Sequence, residues 1–309
     1  MLKVENLYKN FGNVKAVEGI SFEVKKGQVF GLLGPNGAGK STTISIISTL
    51  LKPSGGDVLF EGNSVLDNPA SIRRKLGVVP QDIALYPTLT GYDNLSFWGS
   101  IYGLRGSQLK TRIEDVSDII GLNGRIKDKV EKYSGGMKRR LNIGAALLHK
   151  PELLIMDEPT VGIDTQSRSH ILDTVLELNR QGITIIYTSH YMDEVEYLCN
   201  ELCIMDEGKI IASGTRQELV ELVREKTRIN IKLNKMDEDV LTVLRGIEGV
   251  VDAKKDEDSI ALFGSNADVL LADIISRVSE KGWLIETIDV KKPNLKAVFL
   301  HLTGKALRD

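Results

Sequence analysis

The chain has 309 residues, of which 42% are hydrophobic and 27% charged, as is usual for a globular domain protein. Its 40 basic and 42 acidic side chains give a formal net charge of −2, and this near-balance argues against nucleic acid as a partner. The basic runs Arg73–Lys75 and Lys138–Arg140 are therefore interpreted as solvated helix faces. No apolar run reaches the roughly 18 to 20 residues of a membrane-spanning helix, so we expect any membrane role to be peripheral.

The first part of the chain alternates strand patterns with helical patterns. Short apolar or alternating runs predict strands at Leu2–Tyr8, Ser21–Val24, Gln28–Leu33, Leu76–Pro80, Leu153–Met156 and Thr184–Thr188. Helical patterns occupy Lys40–Leu51, Asp93–Leu122 and Gly136–Leu148, with a break predicted at Pro53, Gly55 and Gly56. This alternation favours a mainly parallel sheet with crossover helices, whose sites lie at the carboxyl ends of the strands.

A shift in composition near Arg224–Lys226 predicts two domains, 1–225 and 226–309. In the second, strands are predicted at Thr227–Leu233, Val250–Lys254, Ser259–Phe263 and Trp283–Val290, and helices at Asp237–Leu244, Asn266–Glu280 and Pro293–Leu302. The order β-α-β-β-α-β is typical of a small ferredoxin-like α+β fold. No catalytic group of residues is apparent in it.

A phosphate-binding loop is the strongest motif. The pattern G-x-x-x-x-G-K-[ST] lies between a predicted strand and a predicted helix, and its nucleotide-binding residues are Gly34, Pro35, Asn36, Gly37, Ala38, Gly39, Lys40, Ser41 and the following Thr42. Glycines let successive N–H groups point at phosphate oxygens, and the helix start adds its positive dipole end. We expect Lys40 to reach the β- and γ-phosphates of ATP and Ser41 to ligate Mg²⁺. The alternative, a glycine-rich turn with a chance lysine, is disfavoured by the strand and helix on either side.

Two carboxylates follow the apolar run Leu153–Met156. Asp157 is predicted to hold Mg²⁺, and Glu158 to polarise the attacking water as a general base. Acidic residues after a strand are often only solvated loop or capping groups. Together with the phosphate loop, however, the pair indicates ATP hydrolysis.

A second anion-binding nest is predicted at Ser134, Gly135 and Gly136, at the start of the helical pattern. Taken alone, the same residues would be an ordinary serine N-cap with flexible glycines. The sequence Tyr133–Met137 resembles the Leu-Ser-Gly-Gly-Gln signature of ABC ATPases. A chain that already cradles phosphates has no use for another nest within one site, so we expect it to close on the nucleotide held by a second subunit.

Other residues stand in the order of the ABC family, and the resemblance covers Met1 to about Glu225. It implies that Gln81 is the glutamine that touches Mg²⁺ and the membrane subunit, and that His190 contacts the γ-phosphate in a catalytic role together with Glu158, Lys40 and Gln81. The loop Val161–Asp164 is similar to the segment that crosses the dimer. Phe11 lies where the family places an aromatic ring on adenine, although Tyr8 is close enough to compete.

Two positions depart from the family pattern. Met137 replaces the usual glutamine and cannot donate a hydrogen bond to the ribose, which puts that contact in doubt, and Tyr133 replaces leucine. The Tyr-Ser-Gly-Gly-Met sequence followed by basic residues is similar to the branch of daunorubicin-resistance exporters. The segment from Pro293 to Gly304 is similar to the end of the C-terminal domain in that branch.

The resemblance implies the fold of a P-loop NTPase of the ABC type, with a parallel sheet core, an antiparallel β subdomain and a helical subdomain. It further implies an ATPase that uses ATP and Mg²⁺, pairs with a second ATPase subunit, and powers a separate membrane permease from the cytoplasmic face, with export as the expected direction. Two other readings stay open: a soluble ABC ATPase without a transport role, and a nucleotide-sensing regulatory module.

Overall fold

The computed structural model describes residues 1–222, 227–234, 238–256, 258–264, 267–291 and 294–303. Contacts divide the chain into two compact units between Arg216 and Gln217. The predicted boundary between 225 and 226 falls within residues 223–226, which lie outside the described ranges, and the assignment of separate roles to the two parts stays a prediction. No helix among the described residues is long and apolar enough to cross a membrane.

The first unit contains a six-stranded sheet in the order β10-β9-β3-β8-β7-β6. Its strands are β3 (Val29–Leu33), β6 (Leu76–Val79), β7 (Leu153–Asp157), β8 (Thr184–Ser189), β9 (Glu201–Asp206) and β10 (Lys209–Thr215). All neighbours pair in parallel except β10, which runs antiparallel to β9 at the edge. Every residue of β3, β7 and β8 is buried, which explains why these strands are recognisable as short continuous apolar runs.

An antiparallel sheet in the order β2-β1-β4-β5 precedes and follows β3 in the chain. It consists of β1 (Leu2–Phe11), β2 (Val14–Val24), β4 (Gly55–Phe60) and β5 (Asn63–Ser64). The predicted strand Ser21–Val24 is thus only the end of a longer strand that pairs with β1 from Leu2↔Val24 to Phe11↔Val14. The predicted chain break at Gly55 and Gly56 is wrong, because these glycines begin β4.

Helices cover the parallel sheet and form a helical subdomain. They are α1 (Lys40–Ile47), α2 (Pro69–Arg73), α3 (Gly91–Ile101), α4 (Gly106–Ile119), α5 (Gly135–Leu147), α6 (Thr165–Arg180), α7 (Met192–Leu198) and α8 (Arg216–Leu222), of which α8 spans the division between the units. The continuous helical pattern predicted over Asp93–Leu122 is wrong, since it contains two helices, nearly all of α3 and all of α4. Gly103 between them has φ +82°, a left-handed conformation that ends a helix.

The second unit has the predicted β-α-β-β-α-β order and one further helix. Its elements are β11 (Thr227–Leu233), α9 (Glu238–Arg245), β12 (Val250–Asp256), β13 (Ser259–Gly264), α10 (Ala267–Glu280), β14 (Ile285–Lys291) and α11 (Leu295–Thr303). The sheet order is β12-β13-β11-β14, with every pair antiparallel, and residues such as Ile229, Leu262 and Ile274 form a separate core. The predicted helix starts at Asp237, Asn266 and Pro293, and Gly304 at the end of the similar segment, lie outside the described residues.

Candidate functional site: an anion cradle at the carboxyl ends of β3, β7 and β8

The loop between β3 and α1 lies against β2. Gly39 has φ +101°, and a Cβ atom at this position would lie 2.5 Å from the carbonyl oxygen of Ala16. Both the left-handed conformation and the close approach require glycine here. The predicted Gly34–Ser41 motif therefore folds as a tight loop that leads directly into the N-terminus of α1.

Lys40 is the first residue of α1, and only 4% of it is exposed. Its Nζ atom donates to the carbonyl oxygens of Gly34 at 2.7 Å and Pro35 at 3.1 Å. The same Nζ lies 3.2 Å from Oε1 of Glu158. The loop thus curls around a buried cation whose carboxylate partner comes from the neighbouring part of the sheet.

Asp157 and Glu158 lie where β7 ends, and both are buried. Thr188 of β8 holds both residues, because its hydroxyl donates to Oδ1 of Asp157 at 2.7 Å and accepts from the Glu158 N–H at 2.9 Å. Glu158 has φ +45°, a left-handed conformation that costs a non-glycine residue of order 1 kcal/mol or more. The strained backbone points the glutamate out of the strand direction and into the space beside Lys40.

His190 follows β8, and its Nδ1 atom lies 3.2 Å from Oε2 of Glu158. Glu158 therefore contacts Lys40 with one carboxylate oxygen and His190 with the other. Since β3, β8 and β7 are adjacent and parallel, their carboxyl ends bring Lys40, Asp157, Glu158 and His190 together. A buried carboxylate between a cation and an imidazole, beside a glycine-rich loop, is suited to binding phosphate and to proton transfer.

The predicted second nest is at the start of α5. Ser134 is its N-cap, with a hydroxyl that accepts from the Met137 N–H at 3.2 Å. Gly136 packs so closely on α6 that a Cβ atom would lie 2.0 Å from Oγ of Ser167. Within the described ranges, no hydrogen bond or ion pair joins Ser134–Gly136 to Lys40, Glu158 or His190.

The surroundings of Tyr133, just before α5, explain why a tyrosine can stand at this position of the motif. Tyr133 is buried, and its hydroxyl donates to the carbonyl oxygen of Arg125 at 2.7 Å. It therefore anchors the segment before α5 as part of the core. Beyond the nest, Asp164 caps α6 by accepting from the Ser167 N–H at 2.9 Å, and these hydrogen bonds lower the pKa of Asp164.

Gln81 follows β6, and its main chain is fixed from α5. Arg139 donates to the carbonyl oxygens of Pro80 at 2.8 Å and Gln81 at 2.7 Å, and Asn142 accepts from the Ala84 N–H at 3.3 Å. Arg139 is 4% exposed, and burial lowers its pKa. The interpretation of Lys138–Arg140 as a solvated face is thus wrong for Arg139, because its guanidinium is buried and donates to backbone carbonyl oxygens.

The two candidate adenine-stacking rings lie on β1. Phe11 is 47% exposed at the end of the β1–β2 hairpin, with Nζ of Lys9 at 5.0 Å from the ring centroid. The Tyr8 ring lies over Gly19, where a Cβ atom would come within 2.7 Å of the Tyr8 hydroxyl. Tyr8 is 42% exposed, so exposure does not distinguish the two rings, and the role of Phe11 stays a prediction.

An apolar groove of about 470 Å³ opens beside the Gln81 segment. Its lining includes Leu50, Val78, Trp98, Ile101, Tyr102 and Asn142. Buried Trp98 Nε1 and Asn142 Nδ2 find no hydrogen-bond partner among the described residues. The groove therefore combines exposed apolar side chains with two unused donors.

Sequence reasoning missed three residues that organise the site. Thr188 and Arg139 act through hydrogen bonds to other segments, and Glu194 is a buried carboxylate near His190. Their partners are distant in sequence, so no local spacing identifies them. The position of Thr188 at the end of an apolar run is the signal that the sequence offers for it.

Comparisons with known proteins agree with this geometry. Residues 17–161 match the model of the ABC transporter family. The linearmycin resistance ATP-binding protein LnrL of Bacillus subtilis is 48% identical over 100% of both chains. A daunorubicin resistance ATP-binding protein of Streptomyces coeruleorubidus is 33% identical over 98% of this chain and 96% of its own. The Nod factor export ATP-binding protein I of Ralstonia nicotianae is 34% identical over 100% of this chain and 95% of its own.

Solved structures give the same result. The structure of an ATP-binding subunit of an ABC transporter has a TM-score of 0.65 and 30% identity, over 72% of this chain and 92% of its own. A dimeric ATP-binding cassette in a post-hydrolysis state, bound to ADP and Pi, has a TM-score of 0.64 and 25% identity, over 70% of this chain and 98% of its own. The expected fold and the resemblance to daunorubicin-resistance proteins are thereby confirmed, and the chain belongs to the ABC transporter family as an ATP-binding protein.

Proposed function

We propose that this chain is the ATP-hydrolysing subunit of an ABC exporter and that it works as a pair beneath a separate membrane subunit. The observation that carries the proposal is the position of Glu158 between Lys40 and His190, with the Ser134–Gly136 nest in the same chain but not joined to them. The contacts of Glu158 support a hydrolytic site whose catalytic groups come from one chain. The separate position of the nest supports completion of that site by the nest of a second chain.

The triphosphate of ATP would lie in the Gly34–Ser41 loop. The backbone N–H groups of this loop and of the first turn of α1 supply donors, and the helix dipole adds positive potential. Lys40 supplies the one full charge at the point where the loop meets Glu158. Thr42, in the same first turn, extends the cradle, and Phe11 is our candidate for the adenine base.

Three of the predicted site residues carry oxygen atoms of the kind that a magnesium ion prefers. Ser41 offers a hydroxyl, Asp157 a carboxylate with one oxygen not used by Thr188, and Gln81 an amide oxygen, and such hard oxygen ligands are those that Mg²⁺ prefers. When bound, Mg²⁺ would neutralise phosphate charge. Thr188 keeps Asp157 in place for this role.

Hydrolysis requires a base close to the γ-phosphate. Glu158 would polarise the attacking water. His190, whose Nδ1 atom contacts the Glu158 carboxylate, would orient Glu158 and the water. The proton would pass from water to Glu158 as the water oxygen bonds to the γ-phosphorus. The bond between the γ-phosphorus and the β,γ-bridging oxygen breaks, and ADP leaves with that oxygen.

Pairing follows from the nest. We expect the N–H groups of Gly135 and Gly136 at the start of α5 to bind an anion, and within the described ranges no hydrogen bond or ion pair joins them to the phosphate loop of their own chain. In a head-to-tail homodimer, the nest of one chain would meet the γ-phosphate held by the other. The dimeric post-hydrolysis structure of a relative supports this arrangement.

The membrane subunit would contact the apolar groove. Leu50 is 75% and Ile101 59% exposed there, which favours burial of a partner's amphipathic helix. The groove includes Pro80 and Ala84 on either side of Gln81, so a helix seated in it would sense the Gln81 segment. The chain would then be held at the cytoplasmic face of the membrane as a peripheral subunit.

Export is proposed from the names of the relatives, which describe resistance to linearmycin, resistance to daunorubicin and export of Nod factor. The cargo is expected to be chosen by the membrane subunit.

The test is hydrolysis of Mg-ATP by the purified full chain, alone and with proteins that co-purify with it from membranes. We expect activity that Lys40→Ala abolishes and that a co-purified membrane protein changes. Activity that responds to nucleic acid and not to any membrane protein would contradict the transport role. Undiminished activity in Lys40→Ala would contradict the site itself.

A further inference from the structure

A buried carboxylate lies outside the phosphate site. Glu194 is in the first turn of α7, and its side chain has no exposed surface. An acidic residue in a first turn ordinarily stabilises the helix dipole from the solvent. Full burial of this one instead requires partners that compensate its desolvation.

Four donors surround it. Oε1 of Glu194 accepts from Oγ1 of Thr160 at 2.6 Å and lies 2.7 Å from Nε of Arg168. Oε2 accepts from the hydroxyls of Tyr187 and Ser189, both at 2.9 Å. Four acceptor positions are the full capacity of an ionised carboxylate, and a protonated acid or an amide would lack at least one of them.

The donors come from the segments that carry the site. Thr160 is two residues after Glu158, and Ser189 directly precedes His190. Arg168 is in α6, on the far side of the loop Val161–Asp164 from Thr160. One carboxylate thus fixes both ends of this loop and the end of β8.

A second set of contacts reaches His190 from the same arginine. The Arg168 guanidinium lies 4.6 Å from the centroid of the Tyr191 ring, and this ring lies 4.1 Å from the imidazole of His190. The Tyr191 N–H also donates to Oγ of Ser189 at 2.9 Å. The Tyr191 ring therefore packs against His190, and its position is fixed by Arg168 and Ser189, both of which bind Glu194.

We propose that Glu194 is a positioning residue for ATP hydrolysis, which holds Glu158, His190 and the loop Val161–Asp164 in one fixed arrangement. This inference rests on the proposed function. Glu194 does not contact the phosphate loop in any hydrogen bond or ion pair of the described residues. Its loss should therefore slow the chemical step, and leave the affinity for nucleotide nearly unchanged.

The main experiment compares Glu194→Gln with the wild-type full chain. We expect kcat to fall at least about 10-fold and KM for ATP to stay within about twofold, because misplacement of reacting groups lowers kcat selectively. Glu201→Gln is the matched control, since Glu201 is also hydrogen-bonded, to Lys25 and Gln28, but at the start of β9. It should keep wild-type kcat.

A wild-type kcat in folded Glu194→Gln would overturn the inference while leaving the proposed function intact. A parallel loss of kcat, ATP affinity and melting temperature would overturn it too, because it would mark a general structural role. A wild-type chain that hydrolyses no ATP would instead contradict the proposed function, and the inference with it.

Thr160→Val tests the same claim if Glu194→Gln does not fold. The substitution keeps the shape and the charge of the cluster and removes only the bond to the segment that carries Glu158. We expect kcat to fall about threefold to tenfold with KM unchanged. Thr174→Val, which removes a hydroxyl bonded to His170 within α6, should have no effect on kcat. Equal kcat in both variants would overturn the inference.

Discussion

Nδ1 of His190 lies 3.2 Å from Oε2 of Glu158, and this contact joins the ends of two neighbouring parallel strands. The other oxygen of Glu158 is 3.2 Å from Nζ of Lys40, at the end of a third. A single carboxylate thus connects the phosphate loop to the histidine after β8. Substitution of each residue in this arrangement should therefore change ATP hydrolysis, ATP affinity or stability in a specific way.

Glu158→Gln keeps the size of the side chain but removes its basicity. We expect kcat for ATP hydrolysis to fall at least about 100-fold, which is the usual contribution of a positioned general base. Affinity for ATP should change little, because the phosphate loop is intact. Phosphate release and the binding of a fluorescent ATP analogue measure the two quantities. Retention of more than a tenth of wild-type kcat would remove Glu158 from the role of base.

Lys40→Ala should weaken nucleotide binding as well as abolish ATP hydrolysis. The variant loses the cation that Gly34, Pro35 and Glu158 surround, and we expect nucleotide affinity to fall at least about 10-fold. It also leaves Glu158 buried without its cation, so the melting temperature should fall. Titration with the same fluorescent analogue gives the affinity. An unchanged dissociation constant would contradict the assignment.

Thr188→Val removes one hydroxyl that serves two functional residues. The Asp157 carboxylate and the Glu158 N–H both lose a partner, at a cost of about 1 to 3 kcal/mol of unfolding free energy. We further expect an increased requirement for Mg²⁺, since Asp157 is no longer fixed. Urea unfolding and the Mg²⁺ dependence of ATP hydrolysis test the two effects. Thr174→Val serves as the control, and an identical Mg²⁺ dependence in both variants would contradict the role of Thr188.

Gly136→Ala places a methyl group where Ser167 lies. The distances of 2.0 Å to Oγ and 2.4 Å to Cβ of Ser167 predict a loss of stability and a displaced start of α5. Ser167→Gly should restore part of this stability, despite a cost of about 1 kcal/mol for glycine in a helix. Thermal unfolding of the two single variants and the double variant measures the coupling. Additive effects would show that the clash is relieved elsewhere.

His149 predicts how stability depends on pH. Its ring stacks on Tyr102 at 3.8 Å, and Nε2 lies 3.0 Å from the carbonyl oxygen of Leu76. Burial lowers the pKa of His149 below the usual 6.5, so the unfolded chain takes up this proton at a higher pH than the folded chain does. The free energy of unfolding should therefore fall as pH drops below about 6.5, by at most about 1.4 kcal/mol per pH unit from this group.

His149→Phe keeps an aromatic ring against Tyr102 and removes the titration. Urea unfolding of both proteins between pH 7.5 and 5.5 gives the comparison, with every other histidine the same. We expect the free energy of unfolding of the wild type minus that of the variant to decrease as pH falls. A constant difference across this range would contradict the prediction.

Local sequence predicted those parts of the site whose chemistry lies in one short segment. The Gly34–Ser41 loop and the Asp157–Glu158 pair could be read because a buried strand, a turn and polar residues follow one another in the chain. The buried strands β7 and β8 were predicted nearly to their ends for the same reason. The ferredoxin-like order of the second unit was also predicted, since its strands alternate clearly, as in β11.

Features that depend on distant contacts were not predicted. Arg139 looked like part of a solvated basic run, and only the fold brings it to the carbonyl oxygen of Gln81, 58 residues away. Glu194 likewise resembled an ordinary acid in a first helical turn. The helix α6 was overlooked although Ile171, Val175 and Leu178 have helical spacing, because its remaining residues are mostly polar. The break between α3 and α4 was hidden by polar and apolar residues that continue the helical pattern.

The pairing of two chains around ATP is the central claim, and the molar mass of Glu158→Gln protein tests it most directly. Light scattering after gel filtration should give the 34.1 kDa of one chain without nucleotide and twice that value with saturating Mg-ATP. The same protein with Ser134→Phe added should bind ATP and stay at the mass of one chain, because the nest is blocked. A Glu158→Gln protein that binds ATP but remains a single chain would contradict the account.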